Sequence, residues 1–311
     1  MSERIIDPRI RLRHIACFLE VARLRSMAGA ADALNISQPA ATKTIQELEG
    51  LLGGQLFDRS RRKLALTAFG EVFFRYASTS VAALRQGIDA ARGTHDAAMV
   101  RVGALPTVSA HMLPDAVRAF TEENGGVTTR IITGPNGYLL SLLRTGDVDL
   151  VIGRMAEPNA MGGLSFEHLY SERVVLAVRP GHPVLAAAEF NLGLIQDYQT
   201  LMPTPGSVIR PVVERVLLAH GVTRLRYEIE TVSNAFGHSY VRQTDAIWII
   251  SEGVVADDVA EGRLALLPVD TSETLGPVGF TTRTDTPTSL STARLMQSVR
   301  EVAERLRKDG Q

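Results

Sequence analysis

Five residues of types suited to the DNA groove lie along one short stretch: Gln38, Pro39, Thr42, Lys43 and Gln46. Wound as a helix, that spacing brings all five onto one side. Glutamine can both donate to and accept from adenine at N6 and N7, threonine offers a hydroxyl and a methyl, and lysine reaches guanine or a phosphate. Ser37 just before them is a helix N-cap type, and Pro39 falls in the first turn, where a missing N–H costs nothing. A second cluster follows at Arg59, Arg61, Arg62 and Lys63, whose cations suit phosphate or minor-groove contact. An amphipathic hairpin followed by a solvated loop would use the same residue types, but the two clusters in succession favour nucleic acid.

Further along, four loops behind strand-like runs carry hydroxyls or amides: Thr107 and Ser109, Asn136, Thr204 and Ser207, and Thr231 and Ser233. Set at helix starts around one cleft, such groups would bind an anion, and Arg154, past another strand-like run, would clamp a carboxylate. Plain helix capping would account for the same hydroxyls, and a surface hinge position for the arginine. No HExxH, Cys-x-x-Cys, GxSxG or phosphate loop is present, and the seven histidines have no ligand spacing. No enzyme, metal or cofactor is therefore expected.

These groups need elements to hold them. A helix capped by Ser26 carries Ala30, Ala31 and Leu34, the turn Leu34-Asn35-Ile36 holds the residue most tolerant of a left-handed backbone, and Ser37 opens the next helix. There Ala41, Ile45, Leu48 and Leu52 form a single apolar stripe opposite the polar face. Leu56 to Thr67 predicts a two-stranded wing with a basic tip. An earlier helix, with Leu12, Ile15, Ala16, Leu19 and Ala22 in line and Phe18 beside it, should back the hairpin. Thr67 can cap a long helix to about Gly93 in which Phe73, Ala77, Ser80, Leu84, Ile88 and Ala91 make a coiled-coil-like seam. From Met99 on, short β-rich runs alternate with helices, as in a parallel sheet: 100–105, 127–132, 148–153, 174–178, near 201–202, 226–230, 246–250, 264–268 and 278–281.

The chain of 311 residues is long enough for two or three domains. Its net charge is −1, yet residues 1–92 hold 14 Lys+Arg against 9 Asp+Glu and the remainder 19 against 25. A basic N-terminal module on an acidic body limits non-specific sticking to DNA. Cys17 sits among apolar residues with no partner in the chain and reads as core. No leader and no membrane-length apolar run is seen, so a cytoplasmic location is expected.

The run HIACFLEVARLRSMAGAADALNISQPAATKTIQELEGLLGGQLFDRSRRKLALTAFGEVF resembles the DNA-binding domain of the LysR-type transcriptional regulators, with SQPA, LE, LFDR and LTAFGE in the family's order and spacing. Two departures stand out. Ala68-Phe69 replaces the usual Pro-Ala before Gly70, and Thr42-Lys43 the commoner Ser-Arg. The resemblance implies an N-terminal all-α winged helix-turn-helix (1–66), a linker and dimerisation helix (67–93), and a C-terminal α/β two-lobed effector domain similar to periplasmic binding proteins (94–311). Its lobes would comprise about 94–166 with 269–311, and about 167–268. It also implies a homodimer or homotetramer on double-stranded operator DNA, with RNA polymerase as a partner. DPRIRLRHIACFLEVAR, RVGALPTVS, IGRM and FEHLYSE are similar to regulators of protocatechuate catabolism, which sense a carboxylated ring-cleavage intermediate and activate an operon. A regulator of another operon with a different anion, an architectural DNA protein, and an enzyme tethered to a DNA module are the other readings weighed.

Overall fold

The computed structural model describes residues 7–58, 64–91, 99–187 and 189–309. The chain divides into two compact units, one N-terminal and one larger C-terminal.

The N-terminal unit comprises α1 (Leu12–Leu24), α2 (Met27–Ala33), α3 (Gln38–Leu52), a ribbon of β1 (Phe57–Asp58) and β2 (Ala65–Leu66), and α4 (Ala68–Ala91). Local chemistry sets each boundary. Ser26 Oγ accepts from the Gly29 N–H at 3.1 Å, and Asn35 takes the left-handed conformation (φ 53°) that lets α2 turn into α3. Thr67 Oγ1 accepts from the Gly70 N–H at 2.9 Å and caps α4. The core is built on His14, Cys17, Phe18 and Val21 of α1, packed with Ile45, Leu48 and Phe57. The expected stripe of α1 holds in part: Leu19 is buried and Ile15 and Ala22 pack against the core, but Leu12 is 57% exposed and His14, Cys17, Phe18 and Val21 carry most of the buried line. The apolar line of α4 divides for a related reason. Phe73 and Ala77 close this core, with the Phe73 ring 5.1 Å from Phe18, while Phe69, Val72, Tyr76, Leu84 and Ile88 are left exposed. Three short helices cannot enclose Phe18 without the first turns of α4.

The C-terminal unit runs β3 (Met99–Ala104), α5 (Pro106–Ala110), α6 (Met112–Glu123), β4 (Thr128–Thr133), α7 (Asn136–Thr145), β5 (Leu150–Arg154), β6 (Leu164–Glu172), β7 (Val174–Val178) and β8 (Gln199–Met202). It continues through α8 (Arg210–Ala219), β9 (Tyr227–Glu230), α9 (Asn234–Gln243), β10 (Ile247–Ser251), α10 (Glu252–Ala260), β11 (Ala265–Leu266), β12 (Gly276–Arg283) and α11 (Leu290–Asp309). Two sheets result, in the orders β4-β3-β5-β12-β6 and β11-β7-β10-β8-β9. In each, three strands are parallel (Val102 opposite Ile131 and Leu150; Leu201 opposite Ile229, Trp248 opposite Leu201) and the others join antiparallel. The strand Leu164–Glu172 is absent from the sequence expectation. It belongs to the first sheet, so the chain changes lobe at Arg173 rather than near residue 166, and it returns between β11 and β12. The helix after β8 starts only at Arg210, three residues past Ser207.

Candidate functional site

Along α3 the two faces separate cleanly. Ala41, Ile45 and Leu48 are fully buried, whereas Gln38, Pro39, Lys43 and Gln46 are exposed and Thr42 is half-exposed. The start of the helix is fixed by Ser37 Oγ, which accepts from the Ala40 N–H at 3.3 Å. Its end is fixed by Gly53 in the left-handed region (φ 73°) and by Glu49, whose carboxylate accepts from the backbone N–H of Leu56 (2.8 Å) and Phe57 (3.4 Å). Glu49 thereby ties the wing to the helix. Asp58 lies opposite Ala65 in the antiparallel ribbon, and Arg59, Arg61 and Arg62 fall outside the described residues. Phe69, which departs from the family pattern, leaves the fold intact, its ring lying against Gly54. Cys17 is buried, its thiol pushed up by burial and set 3.7 Å from the Ala41 carbonyl. That is the environment of an inert core thiol.

The second candidate site lies within the C-terminal unit, where the C-terminal ends of all six parallel strands meet one cleft. Thr107, Asn136, Arg154, Thr204, Ser207 and Thr231 line it, brought together from loops far apart in sequence. The centre of a water-sized sphere can range over about 50 Å³ there. A single water needs about 10–15 Å³ of such space. The cleft thus takes a small ligand as it stands, and a larger one only if its walls part.

Ser109 and Ser233 do not line the cleft. Ser109 Oγ donates to the Pro106 carbonyl (2.9 Å), and Ser233 Oγ caps α9 by accepting from the Phe236 N–H (3.3 Å). Thr107 and Ser207 behave differently, since the described caps of α5 and α8 use no side-chain oxygen. Their hydroxyls are therefore not accounted for by capping. Arg154 is buried rather than on the surface, and it is already engaged. Its Nη1 donates to the Glu172 carbonyl (3.3 Å) and its Nη2 to the Thr274 carbonyl, one in each segment that crosses between lobes. Burial lowers its pKa, and the nearby Glu172 raises it. The arginine lines the cleft as a hinge staple, not as an open clamp.

Asn234 and Ser251 also line the cleft and escaped the sequence reading. Asn234 Nδ2 donates across it to the Pro106 carbonyl at 2.8 Å. Its Oδ1, like that of Asn136, is buried without a partner among the described residues. With one N–H of each amide held by a carbonyl, that of Asn136 by Arg154 at 3.3 Å, the amides are oriented and their oxygens remain as two acceptors. A signal existed for Asn234: once Ser233 serves as the cap, the next polar residue is free for other work. Ser251 Oγ bonds the buried Glu172 carboxyl, which burial pushes up and the Gly253 N–H (2.8 Å), Arg154 and Ser251 pull down.

Two family models match the chain. One described as the bacterial regulatory helix-turn-helix protein, lysR family, covers residues 12–71, and one described as the LysR substrate binding domain covers residues 93–304. The HTH-type transcriptional regulator PcaQ of Agrobacterium fabrum is 52% identical over 306 residues, 97% of this chain and 98% of that protein. Among solved structures, a full-length OxyR variant from Pseudomonas aeruginosa superposes with a TM-score of 0.60 at 20% identity, covering 95% of this chain and 97% of the other. Full-length CbnR complexed with its target DNA superposes at 0.52 and 22% identity, covering 94% and 100%. These likenesses to solved structures concern the fold. No helix among the described residues is long and apolar enough to cross a membrane.

Proposed function

The chain belongs to the lysR family of bacterial helix-turn-helix regulators and is a transcriptional regulator, not an enzyme; from that premise we propose that it is a cytoplasmic activator of an aromatic-acid operon of the protocatechuate type, switched by a carboxylated pathway intermediate. In this reading 1–66 bind operator DNA, 67–93 pair the subunits of a homodimer or homotetramer, and 94–311 sense the effector and act on RNA polymerase. The observation that carries the effector reading is the convergence of Thr107, Thr204, Ser207 and Thr231 with Arg154 on one cleft. Hydroxyl donors and a guanidinium suit a carboxylate, and Asn136 and Asn234 supply acceptors for a donor on the ligand or its water. The likeness to PcaQ over nearly the whole chain supports the pathway. A thermal-shift screen of aromatic-catabolism acids tests it, because a ligand that binds only the native state raises the melting temperature. If no such acid shifts the protein while an unrelated anion does, the pathway assignment is wrong.

Thr107→Ala and Ser207→Ala should weaken the acid found in that screen while leaving DNA binding intact. Loss of one hydrogen bond to a charged ligand amounts to roughly 1.5–3 kcal/mol, or on the order of ten- to a hundredfold in Kd. Since neither hydroxyl caps its helix, the free protein should melt close to wild type. Calorimetric titration of both variants with wild-type affinity would place the ligand elsewhere in the cleft.

For the DNA-binding face, Gln38→Ala and Thr42→Ala should flatten base preference at one or two positions, by roughly 1–3 kcal/mol of discrimination each. Selection of duplexes from a randomised library by wild type and variants measures this. An unchanged ranking in both variants would show that this side of α3 does not read bases.

A further inference from the structure

We propose that Arg11 and Arg13, at the start of α1, clamp the DNA phosphate backbone beside the base-reading helix. This rests on the reading of α3 as that helix. A groove of about 300 Å³, open to solvent, is walled on one side by Arg9, Arg11, Arg13 and His14 and on the other by Glu47, Gly50 and Leu51 of α3. Arg9 is spent on Asp7, which takes its Nη2 at 2.7 Å and its Nε at 3.1 Å. Arg11 and Arg13 are exposed, and no ion pair involves either among the described residues. Among the described residues Glu47 is the one acid lining the groove, and its carboxylate lies 4.0 Å from Lys43 Nζ and 3.5 Å from His14 Nε2.

Position and electrostatics agree on the occupant. The exposed line of α3 runs from Gln38 and Thr42 through Gln46 to Gly50, so the groove continues the proposed reading face. From Thr42 to Gly50 the helix rises about 12 Å, close to the width of the DNA major groove, so a helix reading bases at Thr42 brings its Gly50 end to the flanking phosphates. The arginines also stand at the positive end of the α1 dipole, and that first turn holds no acid. Cations there oppose the helix they begin, a local conflict expected where function requires it. A helix N-terminus and cations beside it together attract an anion.

The test is a fluorescence-anisotropy titration of the full chain on a duplex that the wild type selects from a randomised library, at several salt concentrations. Arg11→Ala and Arg13→Ala should each weaken binding roughly three- to tenfold and lower the slope of log K against log salt by about 0.9 for each phosphate no longer neutralised. The ranking of duplex variants should stay as it is, Arg11→Lys and Arg13→Lys should restore the slope, and circular dichroism should show wild-type helix content. Wild-type slope and affinity in both alanine variants overturn the proposal but not the reading of α3. An altered ranking overturns it too, by making the arginines base readers. If the wild-type chain selects no duplex, the reading of α3 fails and the proposal with it.

Discussion

Gly70→Ala is expected to abolish DNA binding by the full chain while the C-terminal unit still binds its ligand. A Cβ at Gly70 would lie 2.1 Å from the carbonyl oxygen of Leu56 and 3.1 Å from Leu66 Cδ2. That carbonyl cannot retreat easily. It accepts from the Thr67 N–H at 3.0 Å, and the Leu56 N–H is held by Glu49 at 2.8 Å. Overfilling an ordinary core costs about 1–3 kcal/mol when side chains can yield. Here backbone pinned on both sides must move, so we expect about 3 kcal/mol or more, against a stability for small domains that starts near 5 kcal/mol. Gly29→Ala is the control, because its added Cβ makes ordinary contacts of 3.5 Å and it lies inside α2. That variant should be neutral or slightly stabilising, by up to about 1 kcal/mol. Circular-dichroism melts and duplex anisotropy read both. Wild-type melting and DNA affinity in Gly70→Ala would refute the close approach of α4 to the wing.

That glycine illustrates what a sequence can disclose. The LTAFGE run marks Gly70 as part of a pattern, but only the structure supplies the Leu56 carbonyl that forbids a side chain there. The helix-turn-helix was readable because each of its boundaries follows a rule of local range: Ser26 and Ser37 cap, Asn35 turns and Pro39 starts a helix. The facing of α1 was not. Leu12 and Ile15 are as apolar as Phe18 and Val21, and which line is buried depends on Phe57, Phe73 and Phe74, residues distant in the chain. The same contrast separates two neighbouring strands. All five residues of β7 are apolar and buried and stand out from their surroundings, whereas LSFEHLYSE mixes exposed and half-buried positions and buries only Leu169 and Glu172. Its pairing with β12 joins residues more than a hundred positions apart, such as Ser165 and Thr282.

The cleft was legible to the same extent. Hydroxyls behind strands predict a rim, since the end of a parallel strand is where its backbone stops competing for donors. Whether a given hydroxyl faces the cleft or its own helix depends on where that helix begins, and boundaries are the least readable feature. Ser233 became a cap because α9 starts at Asn234, and Ser207 did not because α8 starts only at Arg210. The role of Arg154 was out of reach for another reason. Its acceptors, the Glu172 and Thr274 carbonyls, lie in two separate crossovers, and Gly276 leaves the space that the guanidinium fills.

Lowering the pH should weaken the second lobe through Asp258. This carboxylate has a side-chain exposure of 4% and accepts from Arg242 Nη2 at 2.5 Å, Arg263 Nε at 2.6 Å and His238 Nδ1 at 2.6 Å. Burial alone would raise its pKa, but the hydrogen bonds from Arg242, Arg263 and His238 outweigh that and hold it at about 2, below the ordinary 3.8. A carboxylate depressed on folding contributes stability that is fully present above its unfolded pKa and is lost as the pH falls through the folded one. The shift corresponds to about 2 kcal/mol, disappearing between about pH 4 and pH 2. Asp258→Asn keeps the shape and removes the charge. Urea unfolding across a pH series should show the gap between wild type and variant narrowing by about 2 kcal/mol over that window; a gap constant with pH would mean that the charge of Asp258 contributes nothing. The consequence reaches the cleft, since His238 and Arg242 belong to α9, whose first residue, Asn234, bonds across to Pro106. At neutral pH, where the full gap applies, Asp258→Asn should therefore also weaken ligand binding, although the residue lies outside the cleft.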